Sequence, residues 1–194
     1  MRGRRALPAL RIKKMQTLLT ERLRLRPYQE TDFDPFAKMH GDPVLKANTH
    51  AKAMNRLQAR ELFDGYRAAF ATSGFGMMSV RHRETDADIG ECGLWYREDA
   101  DAYTLRYTLQ AAHWGNGYSL EAVRAVLADA FDAHAFNFIR AIAMHHNQRS
   151  VRVLERAGFR QIGNAFRGVK GFLCFELTLQ DWKVSGGLPP ARGV

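Results

Sequence analysis

The 194-residue chain is short of cysteine, short of acidic residues and without any long apolar run. Cys92 and Cys174 are far apart and neither has a His or Cys at ligand spacing, which argues against a zinc site and a disulfide framework. That scarcity fits a reducing compartment, and a cytoplasmic location is expected. No stretch approaches the ~20 apolar residues of a membrane helix, and the basic start is not followed by the apolar segment of a secretory signal. Internal repeats and low-complexity tracts are missing as well. Acidic residues number 20 against 29 Lys and Arg, for a net charge of +9. Six of the positive charges, Arg2, Arg4, Arg5, Arg11, Lys13 and Lys14, precede the first acidic residue. Such an arm can meet nucleic-acid phosphates, but it lacks the interleaved aromatics of a stacking platform. Residues 1–19 read as a basic, disordered leader, and Met15 makes residues 1–14 a candidate upstream extension.

What is present is a chain with 46% hydrophobic residues, enough for one well-buried core and short for two. A single α/β domain over residues 20–182 is expected, followed by a flexible tail, 183–194, rich in Gly and Pro. Leu23 and Leu25 alternate with Arg22, Arg24 and Arg26, the period of a half-exposed strand that Pro27 ends. Helical spacing follows at 32–40 and 55–71, where Leu57, Leu62, Phe63, Tyr66 and Phe70 form an apolar stripe suited to a core. Residues 75–83 and 88–96 read as strands, and 103–109 completes a three-stranded meander. Helical spacing returns at Leu120, Val123, Val126, Leu127, Ala130 and Phe131. Residues 137–144 read as a buried strand, whose strand–helix–strand context favours parallel pairing with 103–109. Asn147 is a candidate N-cap, Val151 and Leu154 an inward face, and Gly158 a stop. Segments 161–166 and 172–179 read as a closing hairpin.

Between the strand at 103–109 and its helix lies His113-Trp114-Gly115-Asn116-Gly117-Tyr118-Ser119. Two glycines let the backbone take positive φ and admit a ligand closely, and the helix that follows starts with N–H groups lacking intrahelical partners. The turn suits an anion, phosphate above all. A dinucleotide fingerprint would need a third glycine where Leu120 stands, and a P-loop needs four residues between its glycines and then Lys-Ser/Thr; neither is present.

The order strand, two helices, three strands, helix, strand, helix, two strands resembles the GCN5-related N-acetyltransferase (GNAT) superfamily. The segments carrying the resemblance are Thr20 through Pro27 (TERLRLRP), Ile89 through Leu94 (IGECGL), Gly115 through Ala122 (GNGYSLEA) and Asn147 through Phe159 (NQRSVRVLERAGF). Their wording is similar to that of the ribosomal-protein N-terminal (alanine/serine) acetyltransferase branch. The resemblance implies a single-domain fold with a mixed, mostly antiparallel sheet, a splayed parallel strand pair and flanking helices. It also implies acetyl-CoA as cosubstrate, a primary amine as acceptor, no metal, and a monomer or homodimer. The family's pyrophosphate pattern, Gln/Arg-x-x-Gly-x-Gly/Ala, falls on Trp114, Gly117 and Ser119, so two of its three positions depart. On this resemblance the cofactor contacts are Leu109, Trp114, Gly115, Asn116, Gly117, Tyr118 and Ser119, with Asn147 for the pantetheine arm and Ser150 for a hydroxyl near the cofactor sulfur.

Direct transfer needs a base for the ammonium and a proton donor for the thiolate. Many relatives have a Glu on the strand before the glycine turn, where this chain has Thr104. The acidic candidate is then Glu91 on the neighbouring strand, and His145 and His146, which can titrate near neutrality, are the alternatives. Acceptor contacts are expected from the early helices and the late hairpin, whose polar residues His40, Asn48, His50, Arg67, Arg167 and Lys170 are mixed in character. Besides an acetyltransferase acting on a peptide N-terminus or small amine, two other readings stand: a CoA-binding protein without catalysis, and a nucleic-acid-associated protein using the basic arm.

Overall fold

The computed structural model describes residues 17–47, 52–98, 100–134, 136–166 and 169–186. Residues 1–16 of the leader expected over 1–19, the acceptor candidates Asn48, His50 and Arg167, and the tail from 187 lie outside the described residues, whereas Leu18 and Leu19, expected to be disordered, form a strand.

Two short strands open the chain, β1 (Leu18–Leu19) and β2 (Leu23–Pro27). The alternation in β2 is realised fully: Leu23 and Leu25 are buried while Arg22, Arg24 and Arg26 stay half-exposed. Helices α1 (Phe33–Gly41), α2 (Pro43–Lys46) and α3 (Arg56–Ser73) follow. Helix α2 was not foreseen; Asp42 caps it by accepting from Val44 N–H at 2.8 Å, with Pro43 at its first position. Helix α3 begins in a reciprocal Asn55–Gln58 capping box and stops at Gly74 with φ +74°. Its Phe63, Tyr66 and Phe70 are buried as the stripe requires, but Leu57, in the first turn, projects into solvent at 70% exposure.

The sheet continues with β3 (Met77–His82), β4 (Asp88–Arg97) and β5 (Ala102–Leu109), the expected meander. Helix α4 (Tyr118–Ala128) runs into a wide π turn, Asp129–Ala133, which keeps Ala130 and Phe131 inward, the latter stacked on Trp182 at 5.5 Å. Then come β6 (Phe138–Met144), α5 (Gln148–Arg156), β7 (Arg160–Phe166), β8 (Val169–Thr178) and α6 (Leu179–Val184). Leu179 is helical rather than the end of a strand, because Thr178 caps α6 by accepting from Asp181 N–H at 3.1 Å. The sheet also starts earlier than expected, at Leu18, which pairs with Leu25.

Eight strands form one sheet in the order β1-β2-β3-β4-β5-β6-β8-β7, with β5–β6 as its parallel neighbours and the other pairs antiparallel. Helices cover both faces. On one, α4, α5 and α6 pack against Leu94, Leu105, Leu109, Ile139 and Ala141. On the other, α1 and α3 build a smaller aromatic core of Tyr28, Phe36, Phe63 and Tyr66 around Met77. Among the described residues no helix is long and apolar enough to cross a membrane.

Candidate active site

Strands β5 and β6 meet at one register position, Thr104 opposite Arg140. On their outer sides both are zipped throughout, β5 to β4 from Ala102 to Leu109 and β6 to β8 from Phe138 to Met144. Beyond Thr104 the two strands therefore turn unpaired backbone edges toward each other, and a wedge opens in the middle of the sheet. Such edges call for hydrogen-bonding partners from water or a ligand.

The glycine turn stands at the end of β5, on the mouth of this wedge. Gly115 and Gly117 have φ +84° and +77°, values that cost any residue with a Cβ. Gly117 is the N-cap of α4 and no side chain caps that helix, so its first N–H groups and the positive end of its dipole remain available. The turn is braced from behind. Trp114 Nε1–H donates to Leu109 O at 2.8 Å, the Arg149 guanidinium lies 4.8 Å over the indole, and Asn116 Nδ2 donates to the carbonyls of His113 and Trp114. Arg22 donates to Asn116 O at 2.9 Å and to Glu121 Oε2 at 2.8 Å. Burial alone would raise the Glu121 carboxyl, but the Thr20 hydroxyl and the backbone and guanidinium of Arg22 outweigh it and hold the group below its usual range. The one acidic side chain in the first turn of α4 is thus already paired, and the turn is free to accept an anion.

On the far wall, Asn147 caps α5 by accepting from Ser150 N–H at 3.1 Å. The Ser150 hydroxyl lies 2.7 Å from the hydroxyl of Tyr107, which reaches across from the splayed half of β5. Burial pushes the Tyr107 phenol well above its ordinary value, so it keeps its proton as a donor. His145 and His146 are exposed where β6 ends; His145 Nδ1 sits 3.1 Å from Gly171 O of the closing hairpin. Thr104 is buried and its hydroxyl donates to Trp95 O at 3.0 Å.

Glu91 faces the opposite way, toward α1 and α2. It is 2% exposed, accepts from Tyr28 OH at 3.1 Å and meets His40 Nε2 at 3.2 Å. His40 Nδ1 in turn lies 3.1 Å from Lys46 Nζ. An imidazole nitrogen and an amine at that distance cannot both carry protons toward each other, so the His40–Lys46 pair is one proton short of full charge. Burial drives the Lys46 ammonium down, opposed by Glu91 and assisted by Arg106. Burial would raise Glu91, but the charge and hydrogen bond of His40, then Arg106 and Lys46, hold it below its ordinary value near 4.5. Beside this chain opens a cleft of about 440 Å³ lined by Met39 and Leu45, next in sequence to His40 and Lys46, and by Asp88, Gln110 and Ala111, which lead to the glycine turn.

The family profile for the acetyltransferase (GNAT) domain matches residues 22–160. The chain belongs to the GNAT acetyltransferase family. It is 29% identical over 151 residues to "Uncharacterized N-acetyltransferase p20" of Bacillus licheniformis, covering 77% of this chain and 85% of that one. It is 31% identical over 153 residues to "Probable N-acetyltransferase YjcK" of Bacillus subtilis, covering 77% and 79%. Among solved structures, an acetyltransferase from Agrobacterium tumefaciens superposes with a TM-score of 0.76 at 25% identity, over 90% of this chain and 99% of the other. Two Vibrio cholerae proteins share the fold at lower identity. One, provisionally named a ribosomal-protein-serine acetyltransferase, has TM-score 0.67 at 17% identity over 84% and 99%. The other, a spermidine N-acetyltransferase in complex with CoA and spermine, has TM-score 0.71 at 14% identity over 84% and 99%.

In this GNAT domain Trp114 links Leu109, through its indole N–H, to the start of α5, through Arg149 over its ring, so the glycine turn and the Asn147–Ser150 segment are neighbours. Glu91 lies apart from them, sealed behind His40. Four residues of the site were not picked out as a group from sequence: Tyr28, Lys46 and Arg106 beside Glu91, and Tyr107 beside Ser150. Successive residues of a strand point to opposite faces, which separates Arg106 from Tyr107 but does not say what each touches.

Proposed function

We propose that this GNAT protein transfers an acetyl group from acetyl-CoA directly to a primary amine, of a peptide N-terminus or a small molecule, within a ternary complex. The observation that carries this reading is the wedge between β5 and β6, with an uncapped helix N-terminus and two positive-φ glycines at its mouth. The pyrophosphate rests on the N–H groups of residues 115–119, the pantetheine runs along the free edge of β5 past Leu109, and Asn147 holds its amide. Asn147 already caps α5. Asn147→Ala is therefore expected to cost about 1 kcal/mol of stability and, in addition, to weaken CoA binding by about tenfold; calorimetry beside thermal melts separates the two effects.

The neutral amine attacks the thioester carbonyl, a C–N bond forms, the C–S bond breaks and the thiolate leaves. Ser150, held by Tyr107, passes a proton to the sulfur and takes up the one that the new amide nitrogen sheds. The proton lost from the acceptor ammonium passes, directly or through water, to the Lys46–His40 pair, whose Nζ···Nδ1 contact opens as it takes the proton up, with Glu91 stabilising the imidazolium in the way a buried carboxylate does in a catalytic triad. His145 and His146, exposed at the other wall, are the second candidates for this step. Ser150→Ala is expected to lower kcat by about tenfold or more with KM for acetyl-CoA little changed, as read in steady-state kinetics.

The two Vibrio cholerae neighbours carry different acceptors in their names, a ribosomal protein and a polyamine, so the fold leaves the acceptor open. An acetylation screen over free amines and N-terminal peptides, with mass detection, tests the reading. One acceptor class is expected to gain a single acetyl group as acetyl-CoA is consumed. Tight CoA binding with no transfer to any amine would favour the second reading, a CoA-binding protein without catalysis, which the buried Thr104 hydroxyl in place of a carboxylate motivates.

A further inference from the structure

Arg106 lies on the splayed half of β5, opposite Gly93 of β4, with its side chain on the face that carries Glu91. It is half-buried, and among the described residues its guanidinium makes no hydrogen bond and no ion pair. The contrast with its peers is sharp. Arg22, Arg24, Arg26, Arg81 and Arg140 are buried to a similar class, and each faces a carboxylate. A guanidinium taken partly out of water without a partner is costly, and its planar fork fits a carboxylate best.

The surroundings repeat the message. Arg106 acts electrostatically on Glu91, Lys46 and Tyr66, which places those four groups in one neighbourhood. The Tyr66 hydroxyl is buried there with no hydrogen-bond partner. Tyr28 OH, His40 Nε2, Lys46 Nζ, Tyr66 OH and Arg106 all stand as donors around one acidic side chain, and that carboxylate is already taken by Tyr28 and His40. Among the described residues the wall is rich in donors and positive charge, and its one carboxylate is already engaged. Thr104, two residues before Arg106, marks where the wedge begins, so the unpaired cation stands at the edge of the space where acetyl group and amine must meet.

We infer that Arg106 is a specificity residue that binds a carboxylate on the amine acceptor, so that the substrate is an amine bearing an acid, of the amino-acid class, rather than a polyamine. This rests on the acetyltransferase reading above and narrows it. A polycation would bring like charge to Arg106 and Lys46, whereas a carboxylate supplies a free acceptor.

The test uses matched pairs that differ only in the acid: amino acids against their carboxamides, and ω-amino acids against diamines of equal length. Wild-type protein is expected to favour the acid member by about tenfold or more in kcat/KM. Arg106→Met should erase most of that preference through KM, and Arg106→Lys should restore part of it. A second readout does not depend on turnover. N-acetylglycine should bind the CoA-loaded protein at least about tenfold more tightly than N-acetylglycinamide, and Arg106→Met should remove the difference. Transfer that proceeds equally to acid and amide, or a preference that survives in a folded Arg106→Met, overturns the inference while leaving the acetyltransferase reading intact. No transfer to any amine, with the N-acetylglycine preference present, sinks the acetyltransferase reading and leaves the carboxylate site standing.

Discussion

Gly117→Val is expected to abolish measurable CoA binding while leaving the rest of the domain folded. The residue sits at φ +77°, where a β-branched side chain is strongly disfavoured. An ideal Cβ there would come no closer than 3.5 Å to Arg22 Nη2, so the substitution is not excluded by collision; its cost lies in the backbone. The chain can relieve that strain by rotating the turn, which moves the first N–H groups of α4 out of convergence. It can also keep the turn, in which case the valine branches crowd the approach that phosphate oxygens need. Either route removes several charge-assisted hydrogen bonds at once, and a loss of about a hundredfold or more in affinity follows. Isothermal calorimetry with CoA measures it, and far-UV circular dichroism reports whether the fold persists. Unchanged affinity would move the pyrophosphate away from this turn.

The second large effect is expected from Glu91→Gln. The amide keeps the shape of the side chain but removes the charge that offsets the proton shared by His40 and Lys46 in a buried setting. Leaving such a charge uncompensated costs about 3–5 kcal/mol. Loss of the assisted proton transfer should lower kcat/KM by about a hundredfold or more, measured well below the melting temperature so that only folded protein contributes. His40→Gln should reproduce the kinetic defect. The acid limb of stability carries the same signature. Because the native carboxyl titrates below its ordinary value near 4.5, the unfolded chain binds that proton more readily than the native one. The stabilisation is complete above that ordinary value and is lost as pH falls through the lower native one. Chemical denaturation across this range should show a smaller loss in Glu91→Gln than in wild type, the remainder coming from other carboxylates held low, such as Glu121. Full activity in Glu91→Gln would leave the carboxylate as a structural anchor and return the base to His145 or His146.

The elements of this protein and their order are legible in its sequence because each is specified within about a dozen residues. Alternation of Leu and Arg wrote β2, the Asn55–Gln58 box wrote the start of α3, and Gly115 and Gly117 wrote a turn that only positive φ can make. Four short segments in the right order were then enough to indicate the family, and with it the grouping of the glycine turn, Asn147 and Ser150. The small departures had local causes that were present but faint: Asp42 capping a helix of four residues, Thr178 converting a strand end into α6, and a π turn after α4.

Tertiary structure alone decided what Glu91, His40, Lys46 and Arg106 do together. Glu91 is separated from Tyr28 by 63 residues and from His40 by 51, and no periodicity or cap spans such distances. Sequence marks Glu91 as one acidic residue in a strand, with a solvated position as its ordinary fate. Only the packing of α1 and α2 onto β4 seals it and sets it against His40, with Lys46 behind. The guanidinium of Arg106, unpaired among the described residues, has the same origin. Its neighbours in sequence, Leu105 and Tyr107, face the opposite layer, and its surroundings are set by the register of β5 on β4 and by two helices contributed from the other end of the chain.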